Sequence, residues 1–184
     1  MTTRPCGESD RDSSAGTSPP ASADEVELER LWYSAQALEW RSLALVPASD
    51  GVGVVQLASA FSALGFRDRG ESIGVADLRD VPFPNLRGPI EVIRWHMRRG
   101  ERVILALGPC SRSAVTVPLV RAADCAILCV ALGATRIADA NETVEQVGGD
   151  AFIGTVLVRP DEHVPPRSRS VARLRQAGGG RVRE

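Results

Sequence analysis

The sequence contains no lysine: all 22 basic residues are arginines. That absence removes every lysine-dependent chemistry in cis, from a phosphate-binding ammonium to a Schiff base. Apolar runs of membrane-spanning length, roughly 18 residues or more, are also missing. The start of the chain is rich in Ser, Thr, Asp and Pro and lacks the basic-then-apolar order of a secretory signal, so a cytoplasmic location is expected. Histidine is limited to His96 and His163, and neither has a catalytic or metal-ligand pattern around it. His96, in VIRWHMRRG, reads as a partly buried helix residue. The cysteines Cys6, Cys110, Cys125 and Cys129 form no C-x-x-C pair, which leaves no metal-binding or redox spacing. Cys125 and Cys129 lie in the apolar run ADCAILCVAL and read as buried, reduced small hydrophobes. The net charge of −1 gives no general attraction to nucleic acid or membrane.

What is present is a chain of 184 residues with 43% hydrophobic content, enough for one ordinary domain with tails. Residues 1–22 are polar and rich in turn formers, and the stretch 160–184 is polar and arginine-rich; both read as disordered tails. The domain is expected over 23–159. Five apolar runs lie within it: Ser42–Val46, Ile73–Leu78, Arg102–Leu107, Cys125–Leu132 and Ala151–Val158. Helical patterns separate them. Ser22 and Glu25 make a capping pattern ahead of a first helix, whose apolar stripe reads as Val26, Leu31, Trp32, Ala35 and Leu38. Further helices are expected from Pro89 to Gly100, over Ser113–Ala123 and over Thr135–Val147. Alternating strands and helices of this kind predict an α/β fold: an open, mostly parallel sheet of about five strands with helices on both faces.

The stretch ALVPASDGVGVVQLASAF, Ala44–Phe61, has the strand, glycine turn and helix of a phosphate-binding loop. Gly51 and Gly53 supply the turn. Where such a loop carries lysine and then a hydroxyl, the chain has Val54, Val55 and Gln56. Farther on come VADLR, then LALGP, then RAADCAILCVALGATR and GTVLVR. Taken in order, these segments resemble the cytoplasmic domain of the bacterial tyrosine kinases that control capsule and exopolysaccharide export. That family belongs with the deviant Walker ATPases, and the resemblance spans about Glu27 to Arg159.

The resemblance implies a P-loop NTPase-like sandwich with Arg102–Leu107 beside Ser42–Val46. It also implies that the chemistry has left. The family's lysine aligns with Val54, and its Mg²⁺-binding hydroxyl with Val55 or Gln56. The first aspartate of D-A-D-L-R aligns with Val75, and the Walker B aspartate with Ala106. Only Asp77 keeps an oxygen ligand at these positions. Charge-assisted hydrogen bonds contribute about 1.5–3 kcal/mol each, so losing two or three weakens ATP binding by on the order of 10³-fold.

No catalytic residue, no metal site and no tightly bound Mg·ATP are therefore expected. The family's C-terminal tyrosine cluster is absent too, since the only tyrosine is Tyr33. The family's E-x-x-R-x-x-R oligomer motif matches at Glu27 and Arg30 and ends at Tyr33, so these two are the candidate oligomer interface; a solvated helix face is the other reading. The role implied is a catalytically inactive, kinase-like partner of a membrane polysaccharide copolymerase or of an active kinase, recruited by it to the inner membrane. Two other readings remain: an ATPase or kinase completed by a partner chain, and a partition- or septum-type adaptor. Nucleic acid is not an expected partner.

Overall fold

The computed structural model describes residues 23–158. The Ser22 end of the capping pattern and the two tails lie outside those residues. A single sheet of five strands, all parallel, runs in the order β2-β3-β1-β4-β5. The strands are β1 (Ser42–Pro47), β2 (Gly74–Leu78), β3 (Val103–Leu107), β4 (Cys125–Ala131) and β5 (Phe152–Val158). Each falls within a residue or so of an apolar run. The interior strands β1 and β3 are buried along their whole length because both of their faces are covered. As expected, β3 lies directly beside β1, with Leu43 opposite Ile104 and Leu45 opposite Ala106.

The helices are α1 (Ala23–Gln36), α2 (Val54–Arg69), α3 (Arg87–Arg98), α4 (Thr116–Ala122) and α5 (Ile137–Val147). Going from β1 to β2 the chain moves one way along the sheet, whereas the later connections move the other way. Right-handed crossovers therefore put α2 on one face and α3, α4 and α5 on the opposite one. The buried residues divide in the same way. One cluster joins Trp32 of α1 and Phe61 of α2 to Leu45, Ala106 and Ile127 of the sheet. The other joins Ile93 of α3 and Leu119 of α4 to Ala44, Leu105 and Ala126. The result is a three-layer α/β fold.

Three expectations need correction. The apolar stripe of α1 is centred on Trp32 and Ala35, with Leu28 and Leu31 beside them; Val26 and Leu38 are exposed. Leu38 lies past the end of the helix at Gln36, because the pattern was extended one turn too far. The helix α3 starts at Arg87, two residues before Pro89, which sits in the first turn where no intrahelical N–H is needed. The last helix starts at Ile137 because Thr135 is occupied otherwise: its hydroxyl accepts the Ala131 N–H at 2.9 Å. At the bottom of the sheet α1 is fastened by side chains. Trp32 packs on Phe61 with ring centroids 5.9 Å apart, and its Nε1 donates to Asp68 at 3.3 Å.

Candidate functional site

The glycine loop occupies residues 48–53 at the C-terminal end of β1, where open parallel sheets hold their ligands. Its start is pinned to β4: the Ala48 N–H donates to the Cys129 carbonyl at 2.9 Å. The Ser49 and Thr135 hydroxyls are 2.6 Å apart, tying the loop to the turn before α5. Gly51 has φ of 81°, a left-handed conformation that a side chain would strain, so the first glycine is required for the turn.

At Gly53, φ of −73° and ψ of 56° make an inverse γ-turn. The Val54 N–H accordingly points back and donates to the Val52 carbonyl at 2.8 Å. A phosphate-binding loop would aim that amide at the anion; here it is already used. The amide oxygen of Gln56 lies over Gly53, 3.2 Å from where a Cβ would stand. An acid also sits in the loop: Asp50, which pairs with Arg112 of the β3–α4 connection at 3.0 Å. Sequence reading missed this pair. Asp50, directly before Gly51, was the visible signal, since a carboxylate there repels a triphosphate.

Val54, Val55, Val75 and Ala106, where the resemblance implies lost chemistry, come together in one place. Val54 and Ala106 are 1% and 0% exposed and belong to a single apolar cluster; Val55 and Val75 pack against it. The Val54 side chain thus turns inward and fills space beside the sheet. Asp77 is the register partner of Ala106 on the neighbouring strand. It is held by Arg79, whose Nε and Nη2 each donate to it at 2.8 Å. That bidentate pair lowers the carboxyl's pKa below the ordinary 3.8. Close packing continues at Gly108, where a Cβ would meet the Arg79 carbonyl at 2.8 Å.

Beside the loop lies a cavity of about 20 Å³ between Ala48, Cys110, Ser111 and the α5 residues Asp139, Glu142, Thr143 and Gln146. That is room for roughly one water. Burial, helped by the charge of Glu142, pushes the Cys110 thiol up to about 11, so it remains protonated and is a poor nucleophile at neutral pH. Among the described residues no group of three or more His, Cys, Asp and Glu could hold a metal ion.

Glu27 and Arg30 are not brought to the loop. They pair with each other along α1 at 2.7 Å, and both side chains are about 70% exposed. Tyr33 donates to Asp68 at 3.1 Å, and that bond raises its phenol above the ordinary value. His96 is partly buried on α3, with Nδ1 2.7 Å from Glu101. Arg102, a residue the sequence reading treated only as the start of a strand, is mostly buried. It stacks 3.7 Å over the Trp40 ring and hydrogen-bonds the Trp40 carbonyl and Gln36. No family model matches the chain, and no curated protein matches it.

Proposed function

We propose that this chain is a catalytically inactive ATPase-fold protein that works by binding a partner. The observation that carries this reading is the burial of Val54 and Ala106 together in one apolar cluster. A loop stripped only of its lysine could borrow one from a neighbouring chain. Here the space such a group would need is occupied by packed valine and alanine, and the Val54 amide is committed to Val52. These features weigh against a site completed by a partner.

The order of the segments VADLR, LALGP and RAADCAILCVALGATR supports placing the protein beside the tyrosine kinases of capsule and exopolysaccharide export. There it would act as a regulatory partner of a membrane copolymerase or of an active kinase. Among the described residues no helix is long and apolar enough to cross a membrane, so on this reading recruitment to the inner membrane depends on surface contacts.

Calorimetric titration of the full chain with Mg·ATP tests the first half of the proposal. Neither low-micromolar binding nor turnover is expected, and either one overturns it. Weak retention of free phosphate is compatible with it, because the first turn of α2 still presents backbone N–H groups. Affinity purification of the native protein tests the second half. Recovery with a polysaccharide copolymerase or its kinase supports it, and recovery of neither removes it.

A further inference from the structure

Among the described residues, most arginines are neutralised. Of the thirteen among the described residues, eight are in ion pairs. The five that are not are Arg41, Arg87, Arg94, Arg98 and Arg121. Three belong to α3. Arg121 is on α4, which packs against α3, and Arg41 reaches the α3 C-terminus, donating to the Met97 carbonyl at 2.9 Å.

On α3 itself, Arg87, Glu91, Arg94 and Arg98 fall at i, i+4, i+7 and i+11, one exposed stripe with a single acid in it. The adjacent stripe is Val92, Trp95 and Arg99, also exposed, with the Arg99 guanidinium 4.7 Å over the Trp95 ring. Ile90, Ile93 and Met97 take the inward face, so the helix is anchored without these side chains. Phe83, in the 3-10 turn Phe83–Asn85 just before α3, is 68% exposed. An unpaired basic stripe beside exposed tryptophan, valine and phenylalanine is the composition that sits at a lipid headgroup boundary.

We infer that the outer face of α3, with Phe83, docks on an anionic membrane surface. The charge is complementary to acidic headgroups. Trp95 and Phe83 offer apolar bodies that gain from leaving water, which phosphate binding alone would not use. A helix surface is convex and suits a plane; peptide partners are generally taken into grooves. The inference rests on α3 and is independent of the phosphate loop and of the function proposed above.

The protein carries its own reporter. Trp32 and Trp40 are 1% and 3% exposed, whereas Trp95 is 47% exposed, so a change in tryptophan emission on binding reports on α3. The full chain is mixed at low salt with vesicles rich in phosphatidylglycerol, with pure phosphatidylcholine vesicles and with duplex DNA. Co-sedimentation with the phosphatidylglycerol vesicles alone is expected, with a blue shift in emission that salt reverses. Each basic side chain near an anionic leaflet contributes about fivefold, so Arg94→Gln/Arg98→Gln should weaken binding by about thirty-fold. Trp95→Phe should remove the emission shift while sedimentation persists. All these side chains are exposed, so urea midpoints should match the unmodified protein. The seven arginines from Arg159 onward are untouched in these variants, and unchanged binding by the double variant would assign the contact to them and overturn the inference. Absence of binding, equal binding to phosphatidylcholine, or preference for DNA would overturn it as well.

Discussion

The two ends of the sheet have exchanged the character usual for an open α/β fold. At the C-terminal end, where ligands normally sit, the glycine loop covers Val54 and Ala106, and the one carboxylate retained from the resemblance, Asp77, is engaged by Arg79. At the N-terminal end, normally a structural rim, the polar contacts are dense. Asp124 receives the N–H groups of Arg41 and Ser42, each at 2.8 Å, and the Ser42 hydroxyl at 3.1 Å. Arg102 lies over Trp40 nearby, and Glu101 joins His96 and Arg99. The first end is filled by apolar packing; at the second, polar groups hold β1, β3 and β4 in register. The contrast teaches that the mouth of an open parallel sheet can be part of the core, with the polar contacts carried by the opposite rim.

The largest effect should come from putting a charge into that packing. Ala106→Asp places a carboxylate at a fully buried position with no cationic partner in its cluster, which should cost about 3–5 kcal/mol. The urea midpoint should fall accordingly, and less at low pH, where the new group can stay neutral. A loss below about 1 kcal/mol would mean that the site is wet, and the sealed loop would have to be abandoned. At the other end, Asp124→Ala removes a charged acceptor from three donors, two of them on the fully buried Ser42. About 2 kcal/mol should be lost, with Asp124→Asn recovering part of it. Equal stability of both variants would reduce that rim to ordinary surface polarity.

Much of this contrast was legible in the sequence, and its limits have physical causes. The five apolar runs gave the strands because buried parallel strands need continuous hydrophobic stretches. Val54, Val75 and Ala106 were already visible as apolar residues where the resemblance implies a lysine and carboxylates. Where those side chains went could not be read, because turning inward depends on the γ-turn at Gly53, a backbone choice that leaves no residue-type signature. Asp50 and Arg112 are 62 positions apart, so their pairing needed the fold. Val26 and Leu38 are exposed: helical periodicity marks a stripe but not which members the neighbouring helix covers, and the helix ends at Gln36, before Leu38. VIRWHMRRG does not by itself say which side of its helix is buried. Ile93 takes that side, which leaves Trp95 and the arginines around it outside.

The smallest predicted effect uses a thiol in the same apolar cluster as Val54. Cys129 is completely buried on β4, and desolvation pushes its pKa from 9.0 up to about 12. An acid whose neutral form is held by the folded state binds its proton more tightly there than in the unfolded chain. Between pH 9 and 12 the unfolded state therefore carries fewer protons, and stability falls as pH rises through that window. Below pH 9 the thiol is neutral in both states and contributes no slope. At pH 10 the loss attributable to this one group should be about 1 kcal/mol. Cys110 and Cys125, each raised to about 11, act in the same direction, so the measurement must be a difference. Urea midpoints of the unmodified protein and of Cys129→Ala are compared at pH 8 and pH 10. The alanine variant starts lower because it loses buried sulfur, yet its further drop between the two pH values should be smaller by that margin. Parallel drops would show that Cys129 reaches solvent in the native state, and the apolar face behind the glycine loop would then be open to water from β4.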